Sequence, residues 1–161
     1  MPVSFQEYYF YSLCLKAKLS IIAVRQDSKQ DIGGKKIKNF DFIINTDTRV
    51  FLIDVKGSSK LVGDTKVSKD DISGLKALKK LYGENVTVLF VFFWTDSKLS
   101  LSKSRITSKF EIKAIDIDEF DGIQQKGWND NYYRCKRQTL KDIWEIIPEF
   151  KNILSQETAK S

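Results

Sequence analysis

The chain has 161 residues, 42% of them apolar and 30% charged, with a net charge of +6; that is long enough for a core of its own and ordinary for a soluble globular domain. Its richest apolar run, Val86 to Trp94, is too short to cross a bilayer. Histidine is absent, which removes Ser-His and Cys-His nucleophilic catalysis and His-ligated zinc hydrolysis and leaves hydrolytic chemistry to carboxylates, lysine and a hard metal ion.

In chain order, Ser4 followed by Gln6-Glu7 and an aromatic run predicts a helix from Ser4 to about Lys18, with Ser4 as its N-cap. Leu19 to Val24 reads as a strand, and Asp27 to Lys38, with Gly33-Gly34, as a polar loop or hairpin. Asn39 to Asn45 and Arg49 to Lys56 read as two strands joined by a tight turn over Thr46 to Thr48, close enough to pair as a hairpin. A loop is expected from Gly57 to Lys66. Ser68 then caps a helix to Leu81, with Ile72, Leu75, Leu78 and Leu81 at helical spacing and Gly83 as its stop. Val86 to Trp94 predicts a central strand covered on both faces, and Phe110 to Ile117 a strand at or near the sheet edge. A last helix is expected from Gln138 to Ile147, ended near Pro148, with a fraying tail after Leu154.

This order implies an α/β (α+β) fold with a mixed central sheet flanked by helices. No repeat or Pro/Gly-rich linker divides it, so residues 1–161 read as a single domain. Cys14 and Cys135 are too few for a disulfide framework and suit free thiols in a reducing, cytoplasmic setting. The N-terminus carries acid and aromatics where a signal peptide would carry basic residues and an apolar run, so export is not expected.

Chemistry concentrates between positions 39 and 57. Asp54 and Lys56 are two apart on a strand, so their side chains leave one face while Ile53 and Val55 point the other way, into the core. Asp41 lies on the adjacent strand, within cross-strand reach of Asp54. Two carboxylates brought together are costly unless a cation joins them, and oxygen ligands of this kind suit Mg²⁺ or Mn²⁺. A lysine alongside can orient or help deprotonate water and stabilise charge developing on phosphorus. The competing reading is an Asp54–Lys56 ion pair on an exposed strand face, with Asp41 as ordinary solvated charge.

Asp41, about a dozen residues, then Asp54-Val55-Lys56 at the end of an apolar strand resembles the PD-(D/E)XK nuclease superfamily, which includes restriction enzymes, homing endonucleases and archaeal Holliday-junction resolvases. The resemblance runs from about Glu7 to Trp94. It implies a restriction-endonuclease-like core over about 4–117, metal binding by Asp41 and Asp54, and a role for Lys56 on the water. Glu7 matches the acidic residue that members often add from the first helix; a Glu there also favours the helix dipole. Phe40 stands where the motif's proline would be, and the second helix lacks the glutamine of several branches. Residues from about 128 to 154 are expected to form a helical extension outside the resemblance.

The expected activity is a Mg²⁺-dependent DNA endonuclease of restriction, homing or junction-resolving type, acting as a homodimer because duplex cleavage needs two sites. The alternative is a catalytically inactive nucleic-acid-binding protein that retains the fold. Lys35, Lys36 and Lys38, in the glycine-containing loop, are the first candidates for DNA contacts. Arg134, Lys136 and Arg137, interleaved with Trp128, Tyr132 and Tyr133, are the second.

Overall fold

The structure, a computed structural model, describes residues 4–24, 30–32, 35–37, 40–58, 65–95, 110–122, 125–129 and 131–159; for 30–32, 35–37, 58, 121–122, 125–129 and 156–159 it describes the backbone alone. Helix α1 (Phe5–Lys16) starts where Ser4 Oγ accepts the Glu7 N–H at 3.1 Å, the expected cap. Strand β1 (Ser20–Ala23) follows, then the small hairpin of β2 (Gln30–Ile32) and β3 (Lys35–Ile37). Strands β4 (Phe42–Asn45) and β5 (Val50–Ser58) form the anticipated antiparallel hairpin, its turn closed by the Thr46 N–H donating to the Arg49 carbonyl at 2.9 Å.

Strand β6 (Thr65–Ser68) leads directly into α2 (Lys69–Tyr82), which Gly83 ends at φ +79°, a backbone conformation that glycine adopts without penalty. Strand β7 (Val86–Thr95) then returns parallel to β5, and β8 (Phe110–Asp116) runs antiparallel beside β7. The main sheet has the order β1-β4-β5-β7-β8-β11, where β11 is the short edge strand Lys141–Asp142. This is the mixed, helix-flanked sheet that the sequence implied.

Every residue of β7 is buried, as a strand covered on both faces must be. Its alternation separates two layers. Leu89, Val91 and Phe93 pack with Ile53 and Val55 of β5 against α1 and the C-terminal α4 (Phe150–Ala159). Val88, Phe90, Phe92 and Trp94 pack with Leu52 of β5 under Ile72, Leu75 and Leu78 of α2. Leu81, expected to extend that stripe, is instead 54% exposed.

The C-terminal third departs from the expected helical extension over 128–154. Strands β9 (Gln125–Asn129) and β10 (Tyr132–Cys135) join β6 in a second sheet of order β6-β10-β9. The segment 138–147 is a 3-10 turn, then β11, then the single-turn helix α3 (Ile143–Ile146), separated from α4 by Pro148. The polar tail after Leu154 continues as helix to Ala159. Strand β6 stands where a loop was expected. It buries only Val67 among its four residues and finds its partner β10 far along the chain, so no local pattern announces it.

Candidate active site

Asp54 and Lys56 stand near the end of β5 on the α2 side, as alternation from Leu52 requires. Their environments differ sharply. Asp54 is buried at 2% exposure, whereas the Lys56 side chain keeps 39%. The Lys56 ammonium lies 3.7 Å from Asp54 Oδ2, 2.9 Å from Asp71 Oδ2 in the first turn of α2, and 5.9 Å from the centroid of the Phe90 ring. An ion pair on an exposed strand face would need an exposed Asp54, and Asp54 is not exposed.

Asp41 is also buried. It sits just before β4, where the ladder turns irregular: its N–H donates to the Ile53 carbonyl at 2.7 Å, and its carbonyl accepts the Val24 N–H at 2.9 Å. Its Oδ2 accepts the Val55 N–H at 2.7 Å, which holds the carboxylate against the peptide joining Asp54 to Val55. Burial of two acids this close in the chain's hydrogen-bond network is costly without compensating charge.

Glu7 is buried in the first turn of α1, whose apolar residues pack with Ile53 and Val55 of β5. The start of α1 lies close to β5 at Gly57: a Cβ there would meet the Gln6 side chain, Cδ and Oε1 at 2.7 Å and Cγ at 2.8 Å. Lys56 is followed by a residue with no side chain, and the start of α1 settles onto the strand end. Among the described residues, no group of three or more Asp, Glu or Cys side chains converges closely enough to hold a metal ion. Mg²⁺ needs no such group, since it commonly takes one or two carboxylates and completes its shell with water and substrate phosphate. The donor set of Asp41 and Asp54 fits an ion of that kind.

Asp71 escaped the sequence reading. Its local sequence does not set it apart from Asp70 beside it, and its position beside Lys56 follows from α2 packing on the face of β5 that carries Leu52. The basic candidates divide. Lys35 and Lys36 fall on β3, which lies beside α2, and Lys38 lies outside the described residues. Arg134 and Lys136 are exposed; Arg134 stands directly across from Lys66 in the second sheet, where Lys66 lies 5.1 Å from the Tyr132 ring. Arg137 is engaged within the fold, stacked 5.1 Å from the Trp94 ring and paired with Glu111.

No family model matches the chain, and no curated protein matches it in sequence. Among solved structures it is similar to a Holliday junction resolvase of Archaeoglobus fulgidus, an archaeal hyperthermophile, with a TM-score of 0.55 and 11% identity over 88% of this chain and 96% of that one. The chain shares the fold of that resolvase. A nuclease from a fusselovirus is a looser match, with a TM-score of 0.46 and 11% identity over 97% of this chain and 98% of that one, and carries no argument. At such identities the likeness concerns the fold alone. No helix among the described residues is long and apolar enough to cross a membrane.

Proposed function

We propose that the chain is a Mg²⁺-dependent DNA endonuclease that hydrolyses phosphodiester bonds, of the restriction, homing or junction-resolving kind. The observation that supports this reading is the Asp41–Val55 hydrogen bond, which holds a second buried carboxylate against the peptide that follows Asp54, on the strand that bears Lys56. The nuclease-like fold supports it independently.

In this reading Asp41 and Asp54 hold Mg²⁺ or Mn²⁺. When bound, such an ion polarises the phosphoryl oxygen and makes its water more acidic. The water oxygen forms its bond to phosphorus as the bond to the leaving ester oxygen breaks; the water's proton goes to solvent, and the leaving oxygen takes one up. Lys56, the exposed member of the set, donates to the attacking water or to a phosphoryl oxygen and stabilises the charge that grows there. Glu7, from α1, is the further acid that would help hold the ion. Lys35, Lys36, Lys38, Arg134 and Lys136 contact the DNA backbone. Arg137, partly exposed while it contacts Trp94 and Glu111, joins them in this role. Cutting both strands of a duplex calls for two copies of the site, and a homodimer supplies them.

The test is conversion of supercoiled plasmid in Mg²⁺ set against the same reaction in EDTA. Nicked or linear product in Mg²⁺ alone is expected. A gel shift with no cleavage in either Mg²⁺ or Mn²⁺ would overturn the reading and identify a DNA-binding protein that keeps the fold.

A further inference from the structure

We propose that Asp71 is a positioning residue for Lys56, holding its ammonium over the strand end in the pose from which it meets the scissile phosphate; this rests on the nuclease reading above. Lysine is a point charge on a flexible four-carbon stem, and an unheld one spreads over many rotamers. The Lys56 ammonium is instead approached from two elements. Asp54 Oδ2 on its own strand is 3.7 Å away, and Asp71 Oδ2 on α2 is nearer, at 2.9 Å. The nearer contact has the length of a charge-assisted hydrogen bond, the stronger class.

The place of Asp71 is itself fixed by backbone. The Lys69 N–H, at the start of α2, donates to the Asn131 carbonyl at 2.9 Å, which pins the helix to the second sheet. Ile72, next to Asp71, is buried at 3% exposure and sets the rotation of the helix about its axis. The Phe90 ring, 5.9 Å from the ammonium, closes the side towards the sheet. Asp70 is the internal contrast: it occupies the same first turn with the same charge and the same benefit to the helix dipole, but it faces solvent. If Asp71 served only the dipole, the two acids would be interchangeable. The second sheet then has a consequence for the site, because β6 and β10 fix the start of α2 and α2 fixes the lysine.

The experiment measures single-turnover nicking in Mg²⁺, with DNA affinity read separately by gel shift without metal. Wild type is compared with Asp71→Asn, Asp70→Asn, Lys56→Ala and the double variant Asp71→Asn/Lys56→Ala. Asp71→Asn is expected to slow nicking between roughly ten- and a hundredfold, the effect of a misplaced catalytic group, with DNA affinity unchanged. Asp70→Asn should cut like wild type. Asp71→Glu, which keeps the charge on a longer arm, should recover part of the loss. On the Lys56→Ala background, Asp71→Asn should cost nothing further, since its only route to the chemistry is gone. The same comparison with Asp71→Ser serves if the Asn variant does not fold. An Asp71 variant that cuts as fast as Asp70→Asn, or losses that multiply in the double variant, would overturn the proposal and leave the nuclease reading standing. A wild type inert in both Mg²⁺ and Mn²⁺ would overturn both.

Discussion

The Asp41 carboxylate accepts the Val55 N–H at 2.7 Å, so one side chain both closes the irregular end of the β4–β5 hairpin and lies against the peptide that follows Asp54. Its structural and proposed chemical roles can be separated by substitution. Asp41→Ala strands a buried N–H and is expected to cost about 1–3 kcal/mol of stability. Asp41→Asn keeps an acceptor at the same place, so it should unfold in urea close to wild type while losing plasmid cleavage. Equal destabilisation by both variants would show that the hydrogen bond is not what Asp41 supplies to the fold.

Gly57 tests how α1 meets the strand end. A methyl at position 57 runs into Gln6 at 2.7 Å, but the atoms it meets belong to a side chain that can swing aside. Gly57→Ala is therefore expected to fold with a small loss in melting temperature, and adding Gln6→Ala should restore it. Failure of the second substitution to restore the first would place the conflict in the backbone.

The face assignments at β5 were legible in the sequence, because the period of two along Ile53, Asp54, Val55 and Lys56 is unambiguous, and β7 announced its central place by an unbroken apolar run. The burial of Asp54 was not legible. It comes from α2 packing over that face, and α2 is placed by a sheet whose strands β6 and β10 carry almost no local signal. For the same reason Asp71 drew no functional reading and 138–147 read as one helix. Pairing between distant, short and half-polar strands leaves no mark on either partner, whereas a helix stripe or a core strand marks itself.

Asp116 predicts a pH dependence of stability. Burial pushes its carboxyl above the usual carboxylate range; the Asp118 N–H, which donates to it at 2.9 Å, and Lys79 oppose the shift, while the charges of Asp118 and Glu119 add to it. A carboxyl raised in the folded state contributes stability that is full below its unfolded pKa and is lost as pH rises through the folded value. Asp116→Asn mimics the protonated form and keeps the acceptor. The variant should melt above wild type at neutral pH, with the gap closing as the pH falls towards about 4. A gap that is constant with pH would contradict this.

Both cysteines are fully buried, and burial pushes the Cys14 thiol well above its ordinary value. Because the thiolate is the reactive form, neither residue should react with a thiol reagent in the native protein. Labelling should appear with the unfolding transition in urea; rapid labelling of the folded chain would refute the packing around α1 and β10.

The most direct measurement is the Mg²⁺-dependent nicking rate of supercoiled plasmid by Lys56→Ala beside wild type. The Lys56 side chain is 39% exposed, so its truncation opens no core cavity and the variant should keep its fold. Nicking by wild type in Mg²⁺ but not in EDTA, with Lys56→Ala slower by at least about a hundredfold, is the expected result. A folded Lys56→Ala protein that cuts at the wild-type rate would contradict the assignment of this strand end as the active site.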